Sequence, residues 1–307
     1  MNQHVCNIER RIHTLKMNVW KFYRGKMISP KRILEMSNFL AQKFLLYSDF
    51  LDDGFEKRIV GDEFISRLNE LYVIEALFNN NIKLEHKGNK GLDIWIENIK
   101  GWGEFVAATD DEVGKNRSLE GIIPPDENYH LLRLTSVINT KICKAKRDME
   151  KGLVKDAEPI ILFVSSCGLR DSFLLTPKGF ISSYLRTVFP LGEAVLYVNP
   201  VAETSEMRRD YKLGIPKKGI SVSNDFFLRE ENAHISAIVF SFQTILQHYF
   251  FPEVKFESGD DFVIVHNPLA KNPIPIGLLR SHHEYKCAFN DGILSIKECN
   301  DKKILAT

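Results

Sequence analysis

Asp93 and Glu104 are the two residues whose type and spacing most readily support chemistry in this chain. They lie within Gly91–Thr109, GLDIWIENIKGWGEFVAAT. This stretch reads as two short strands, Asp93–Ile99 and Trp102–Ala107, joined by a tight turn at or near Lys100-Gly101. Trp, Ile and Val at alternating positions favour the pleat, and Gly suits the turn. Side chains alternate across a strand, so Asp93, Trp95 and Glu97 share one face. A loop with an even number of residues places Trp102, Glu104 and Val106 on that face too, whereas an odd one flips one set. Carboxylates side by side on a sheet repel unless a proton or cation lies between them. Hard oxygen ligands at this spacing suit Mg²⁺ or Mn²⁺. An exposed hairpin whose acids are merely solvated accounts for the same residues and stands beside that reading.

The neighbouring segments decide what could meet these carboxylates. A helix is expected over Asp62–Phe78, after Gly61 and before Asn79-Asn80-Asn81, with Phe64, Leu68, Leu71 and Leu77 on its apolar face. Glu70 sits beside that face, three residues after Arg67, with which it can pair. A further helix is expected over Tyr129–Lys151, stopping at Gly152. At about 100° per residue, Leu131, Leu134, Ile138, Ile142, Ala145 and Met149 form one stripe. Lys141 falls within it, whereas Lys146 and Arg147 point away. A lysine on the buried side of a helix either snorkels to water or meets a carboxylate. The acidic hairpin can supply one, from Glu104 and also Glu97. Seven basic residues against Asp148 and Glu150 between Arg133 and Lys155 could follow a phosphate backbone, with Lys144, Lys146 and Arg147 as the contacts. A solvated helix face explains them equally.

Composition sets the frame. The 307 residues are 44% hydrophobic and 26% charged with a net charge of +1, so any nucleic-acid surface must be local. Five scattered cysteines without metal-ligand spacing point to a reducing, cytoplasmic setting. No run is long enough to span a bilayer, so no membrane is expected. Residues 1–32 carry eight Lys or Arg against Glu9 alone, either a basic arm or a helix with Val19, Trp20, Phe22 and Tyr23 turned inward. Ser29-Pro30 starts a second apolar helix. An acidic turn, Asp110-Asp111-Glu112, and a loop holding Asn116, Pro124 and Pro125 follow the hairpin. Buried strands are expected at Ile160–Val164, Ala194–Val198, Ala237–Phe242 and Phe262–His266, with a helix over Pro177–Arg186. Tyr285–Phe289 and Ile293–Lys297 read as a terminal hairpin.

Leu92-Asp93 followed by Trp102-Gly103-Glu104-Phe105-Val106 resembles the core of the PD-(D/E)xK, or restriction-endonuclease-like, nucleases. In that superfamily an Asp opens one strand and a Glu in the next is followed by x-Lys. Here Leu92 stands for the Pro and Val106 for the Lys. Leu132-Arg133-Leu134-Thr135-Ser136 with Lys141, and Val265-His266-Asn267-Pro268-Leu269-Ala270, resemble segments of uncharacterised bacterial members, over residues 62 to 280. The resemblance implies an α/β fold with a mixed central sheet flanked by helices, an N-terminal helical region at 1–60 and the nuclease-like domain at 61–307. It implies metal-assisted phosphodiester hydrolysis on nucleic acid, with DNA ranked ahead of RNA and the choice between them left open. Asp93, Glu104 and Glu70 would hold Mg²⁺ or Mn²⁺, with Glu75 the alternative to Glu70, and Lys141 would replace the strand lysine. Homo-oligomer formation is left open. Val106 also permits a relative that keeps the fold and binds or scaffolds without cleaving, and an α/β protein of unrelated function remains a third reading.

Overall fold

The computed structural model describes residues 3–26, 28–88, 91–110, 127–169, 183–199, 204–212, 214–250, 257–290 and 293–299. Four α-helices of more than four residues are present among them: α1 (Gln3–Tyr23), α2 (Pro30–Tyr47), α3 (Phe64–Asn79) and α4 (Glu127–Glu150). The strands are β1 (Leu84–Glu85), β2 (Ile94–Ile96), β3 (Gly101–Thr109), β4 (Ile160–Gly168), β5 (Leu191–Asn199), β6 (Thr204–Tyr211), β7 (Ile215–Lys217), β8 (Ile220–Val222), β9 (Ile235–Ser241), β10 (Val263–His266), β11 (His283–Asn290) and β12 (Ile293–Glu298). Eight of them form one mixed sheet in the order β1-β2-β3-β4-β9-β10-β11-β12. β3, β4 and β9 run parallel, whereas β2 pairs with β3 and β9 with β10 in antiparallel fashion. The chain is an α/β protein with a mixed central sheet.

Strand alternation divides the core into two layers. Ile161, Phe163, Ala237 and Val239 point to one side, where they pack with residues of α1, α2 and α3. Ile160, Leu162, Val164, Ile238 and Phe240 point to the other, against Leu134, Ile138, Ile142 and Ala145 of α4. The β3–α4–β4 crossover thus lays α4 along the face that carries the side chains of Trp102 and Leu162. Leu15 and Val19 of α1, with Leu40 and Phe44 of α2, belong to the same apolar cluster; α1 packs on α2 and α2 on α3, which lies against β3 and β4. The Ser29 hydroxyl caps α2 by accepting from the Arg32 N–H, as the Ser-Pro start anticipates.

Several boundaries differ from the sequence expectation. The first strand of the hairpin is Ile94–Ile96 rather than Asp93–Ile99, because Glu97–Lys100 form the turn. Lys100 carries its positive φ of 50°. Gly101 lies within β3 for another reason. A Cβ there would stand 2.4 Å from the Pro159 carbonyl oxygen, so the close approach of that backbone requires glycine. A four-residue helix, Gln247–Phe250, follows β9. Of the Pro177–Arg186 helix, 177–182 lie outside the described residues, and Ser183–Thr187 form a 3₁₀ turn. The loop with Asp111, Glu112, Asn116, Pro124 and Pro125 also lies outside them.

Candidate active site

The hairpin register brings the two carboxylates together. Ile94 pairs with Gly103, Trp95 with Trp102 and Ile96 with Gly101, leaving a loop of four residues. Counting one step further sets Asp93 opposite Glu104, on the face that packs against α4. Asp93 is also tied to the neighbouring strand by its own carboxylate, whose Oδ2 accepts the Phe105 N–H at 2.6 Å. On the same face Trp95 and Trp102 meet edge to face, 5.0 Å between centroids. The Lys87 ammonium lies 3.4 Å from the Trp95 ring centroid. This aromatic pair seals the turn end of the hairpin and leaves the carboxylates at the other end.

Glu104 is completely buried, and α4 supplies its counter-charges. Lys141 Nζ donates to Glu104 Oε1. One turn on, Lys144 Nζ donates to Oε2 at 2.6 Å and stands 3.7 Å from Asp93 Oδ1. Residues three apart on a helix share a flank, so the stripe that turns Lys141 inward brings Lys144 with it. A buried carboxylate needs such partners, since an unpaired charge in the interior is costly. Sequence reasoning places Lys144 with Lys146 and Arg147 as a phosphate contact. Instead, Lys144 faces Glu104, while Lys146 and Arg147 are exposed. Glu97 is exposed in the turn, where its Oε1 accepts the Trp95 indole N–H at 2.6 Å, and it is not a partner of Lys141.

Glu70 approaches from the opposite layer. It is buried on α3 and held by Arg67, Nη1 to Oε2 at 2.5 Å, the pair expected from their spacing. Burial raises its pKa to about 7; Arg67 opposes that rise and the negative charges of Asp93 and Asp52 add to it. Asp93 is likewise raised, by burial and then by Glu104, against the pull of Lys141, Lys144 and the Phe105 N–H. Glu75 is elsewhere, paired with Lys43 of α2 at 2.6 Å. Three carboxylates therefore sense one another, but only Asp93 and Glu104 face a common point.

That point has the character of a cation site. The ammonium of Lys144 fills it, with one oxygen from each carboxylate turned toward it. Among the described residues no three His, Cys, Asp or Glu side chains converge as a metal cage. Two carboxylates nevertheless fit Mg²⁺, which keeps several waters and takes one or two protein carboxylates together with substrate phosphate. They fit a softer, fully caged transition metal poorly. No helix among the described residues is long and apolar enough to cross a membrane. Compared with known proteins, the chain matches no family model, no curated protein and no solved structure.

Proposed function

We propose that the chain is a metal-dependent phosphodiesterase acting on nucleic acid, built on a sheet of the restriction-endonuclease-like type. The observation that carries this reading is the meeting of the helix lysine Lys141 with the strand carboxylate Glu104, beside Asp93. Val106 leaves the usual strand position without a lysine, and α4 brings one to the same carboxylate from another direction.

Asp93 and Glu104 are the residues that would hold Mg²⁺ or Mn²⁺. When bound, the ion supplies Lewis-acid polarisation of a phosphoryl oxygen and lowers the pKa of a bound water. The chain's own groups have separate tasks. Lys141 positions the attacking water and offsets the negative charge that grows on the phosphoryl oxygens. Its ammonium is held by Glu104, so its reach is fixed before substrate arrives. Lys144, whose side chain is 34% exposed, has room to turn its ammonium outward, where its charge would face a phosphate backbone. Glu70 stays with Arg67 and contributes negative potential from behind Asp93. Lys146 and Arg147 are exposed and within reach of a phosphate backbone lying along α4.

The Lys144 ammonium between the carboxylates favours a second reading, a domain that keeps the fold and binds nucleic acid without cutting it. Incubating labelled duplex DNA, single-stranded DNA and RNA with Mg²⁺, with Mn²⁺ and with chelator separates the two. The hydrolase reading expects metal-dependent cleavage that Glu104→Gln abolishes. Binding with no cleavage under any of these conditions would establish the second reading instead.

A further inference from the structure

On the flank of α4 turned away from Glu104 lies a cavity of about 360 Å³, bounded across from the helix by the β7–β8 hairpin and the turn after it. Thr135, Ser136 and Asn139 line it from α4, and Lys217, Ser223 and Arg229 from the other wall. At about 100° per residue, Thr135 is displaced from Lys141 by roughly 120° around the helix and Asn139 by roughly 160°. The cavity is thus separate from the carboxylate site and shares only the helix with it.

Its chemistry is specific in three ways. No acidic residue lines it, while two cations do. Arg229 is locked in place, donating from Nε to Asp225 at 2.8 Å and from Nη2 to Ser223 at 2.6 Å, which largely balances its charge. Lys217 is exposed, has no ion-pair partner among the described residues, and so brings uncompensated positive charge. In the floor, Thr135 is 1% exposed and its hydroxyl has no hydrogen-bond partner. A buried hydroxyl without a partner is costly and uncommon, and Thr135 is among the residues that line the cavity. Leu132, Val222 and Phe226 add apolar wall, and the volume suits a small organic molecule.

We propose that this cavity binds a phosphorylated nucleoside, with the phosphate at Lys217, the sugar hydroxyls or base edge at Thr135 and Asn139, and the ring against Phe226. Such a group occurs as a free mononucleotide and as the phosphorylated end of a strand. Both present the same anion and ring, and the experiment distinguishes them. The site requires neither the metal nor the hydrolase reading, so the titrations are run on the full chain in chelator.

The probes are AMP, a short oligonucleotide with a 5′-phosphate, and the same oligonucleotide without it. The wild-type chain is expected to bind AMP or the phosphorylated oligonucleotide. AMP binding identifies a free nucleotide as a ligand, and capture of the phosphorylated oligonucleotide alone identifies a strand end. Lys217→Ala, at an exposed position, should weaken binding by about tenfold, the scale of one charge-assisted hydrogen bond. Thr135→Val keeps the shape and removes the unpartnered hydroxyl, so it should leave the fold intact or firmer while weakening binding. No binding of AMP or of the phosphorylated oligonucleotide would overturn the proposal. So would binding that neither substitution alters, or, where AMP does not bind, equal affinity for both oligonucleotides.

Discussion

Replacing both lysines that meet Glu104 tests the electrostatics of the site. Glu104 is fully buried and cannot reach water, whereas the side chains of Lys141 and Lys144 are 20% and 34% exposed and can turn their heads outward. Lys141→Met with Lys144→Met keeps the aliphatic stems and strands the carboxylate. Leaving a buried charge unpaired costs about 3–5 kcal/mol. At roughly 2.1 cal/mol/K of unfolding entropy per residue, that corresponds to a melting temperature lower by about 5–8 °C for a chain of this length. Glu104→Gln removes the charge instead and frees the lysines to solvate, so its destabilisation should be only about 1–2 kcal/mol. If the carboxylates form a cation site, Mg²⁺ should stabilise the double variant, by about 2.7 kcal/mol at a hundredfold excess over its dissociation constant. Thermal unfolding with and without Mg²⁺ measures all three quantities. A double variant no less stable than Glu104→Gln would refute the asymmetry, and one that Mg²⁺ does not restore would refute the cation site.

Other expectations follow from the same geometry. Lys144→Ala should tighten Mg²⁺ binding about tenfold in calorimetric titration, because the ion no longer competes with an ammonium; weaker binding would make Lys144 a support of the site. Reversing the charge of Lys146 and Arg147 should lower nucleic-acid affinity and flatten its salt dependence by about one logarithmic unit for each phosphate no longer neutralised, and an unaltered salt slope would remove this face from the interface. Glu70 is raised to about 7 in the folded chain from an ordinary value of 4.5. The folded state therefore holds more protons than the unfolded one between those values, and Glu70 costs stability progressively as pH rises through that window. Urea titrations should show Glu70→Gln gaining on wild type from pH 4.5 to 7, the interval between those two values, and a gap constant with pH would contradict that. Gly103→Ala would set a Cβ 2.8 Å from Ile94 Cγ2 and 3.0 Å from Phe163 Cε2, and overpacking of this kind costs about 1–3 kcal/mol. Unchanged stability would mean that this layer yields more readily than its packing implies.

The mixed α/β architecture and the facing carboxylates are legible in the sequence because period-two alternation and an even loop determine side-chain direction. Lys141 is legible too, since a cation inside an apolar stripe demands a partner. The role of Lys144 is not. It lies at the margin of that stripe, and only the depth of Glu104 beneath α4 decides whether such a lysine meets solvent or a carboxylate. The turn falls earlier than the sequence suggests because Gly101 reads as a turn residue, although its lack of a side chain serves the approach of Pro159. The helix α3 shows little amphipathic contrast, being buried on most sides, so sequence spacing alone does not tell which layer Glu70 joins. The cavity beside Thr135 depends on the β7–β8 hairpin, distant in sequence from α4, and no local pattern announces that meeting.

The most direct test of the hydrolase assignment is single-turnover cleavage of labelled nucleic acid by the Lys141→Ala chain, with Mg²⁺ binding followed in parallel through the fluorescence of Trp95 and Trp102. The wild type is expected to cleave in Mg²⁺, and Lys141→Ala to bind the ion still but no longer cleave. Cleavage by Lys141→Ala at the wild-type rate, or a wild-type chain that binds nucleic acid and Mg²⁺ and leaves the phosphodiester intact, would contradict it.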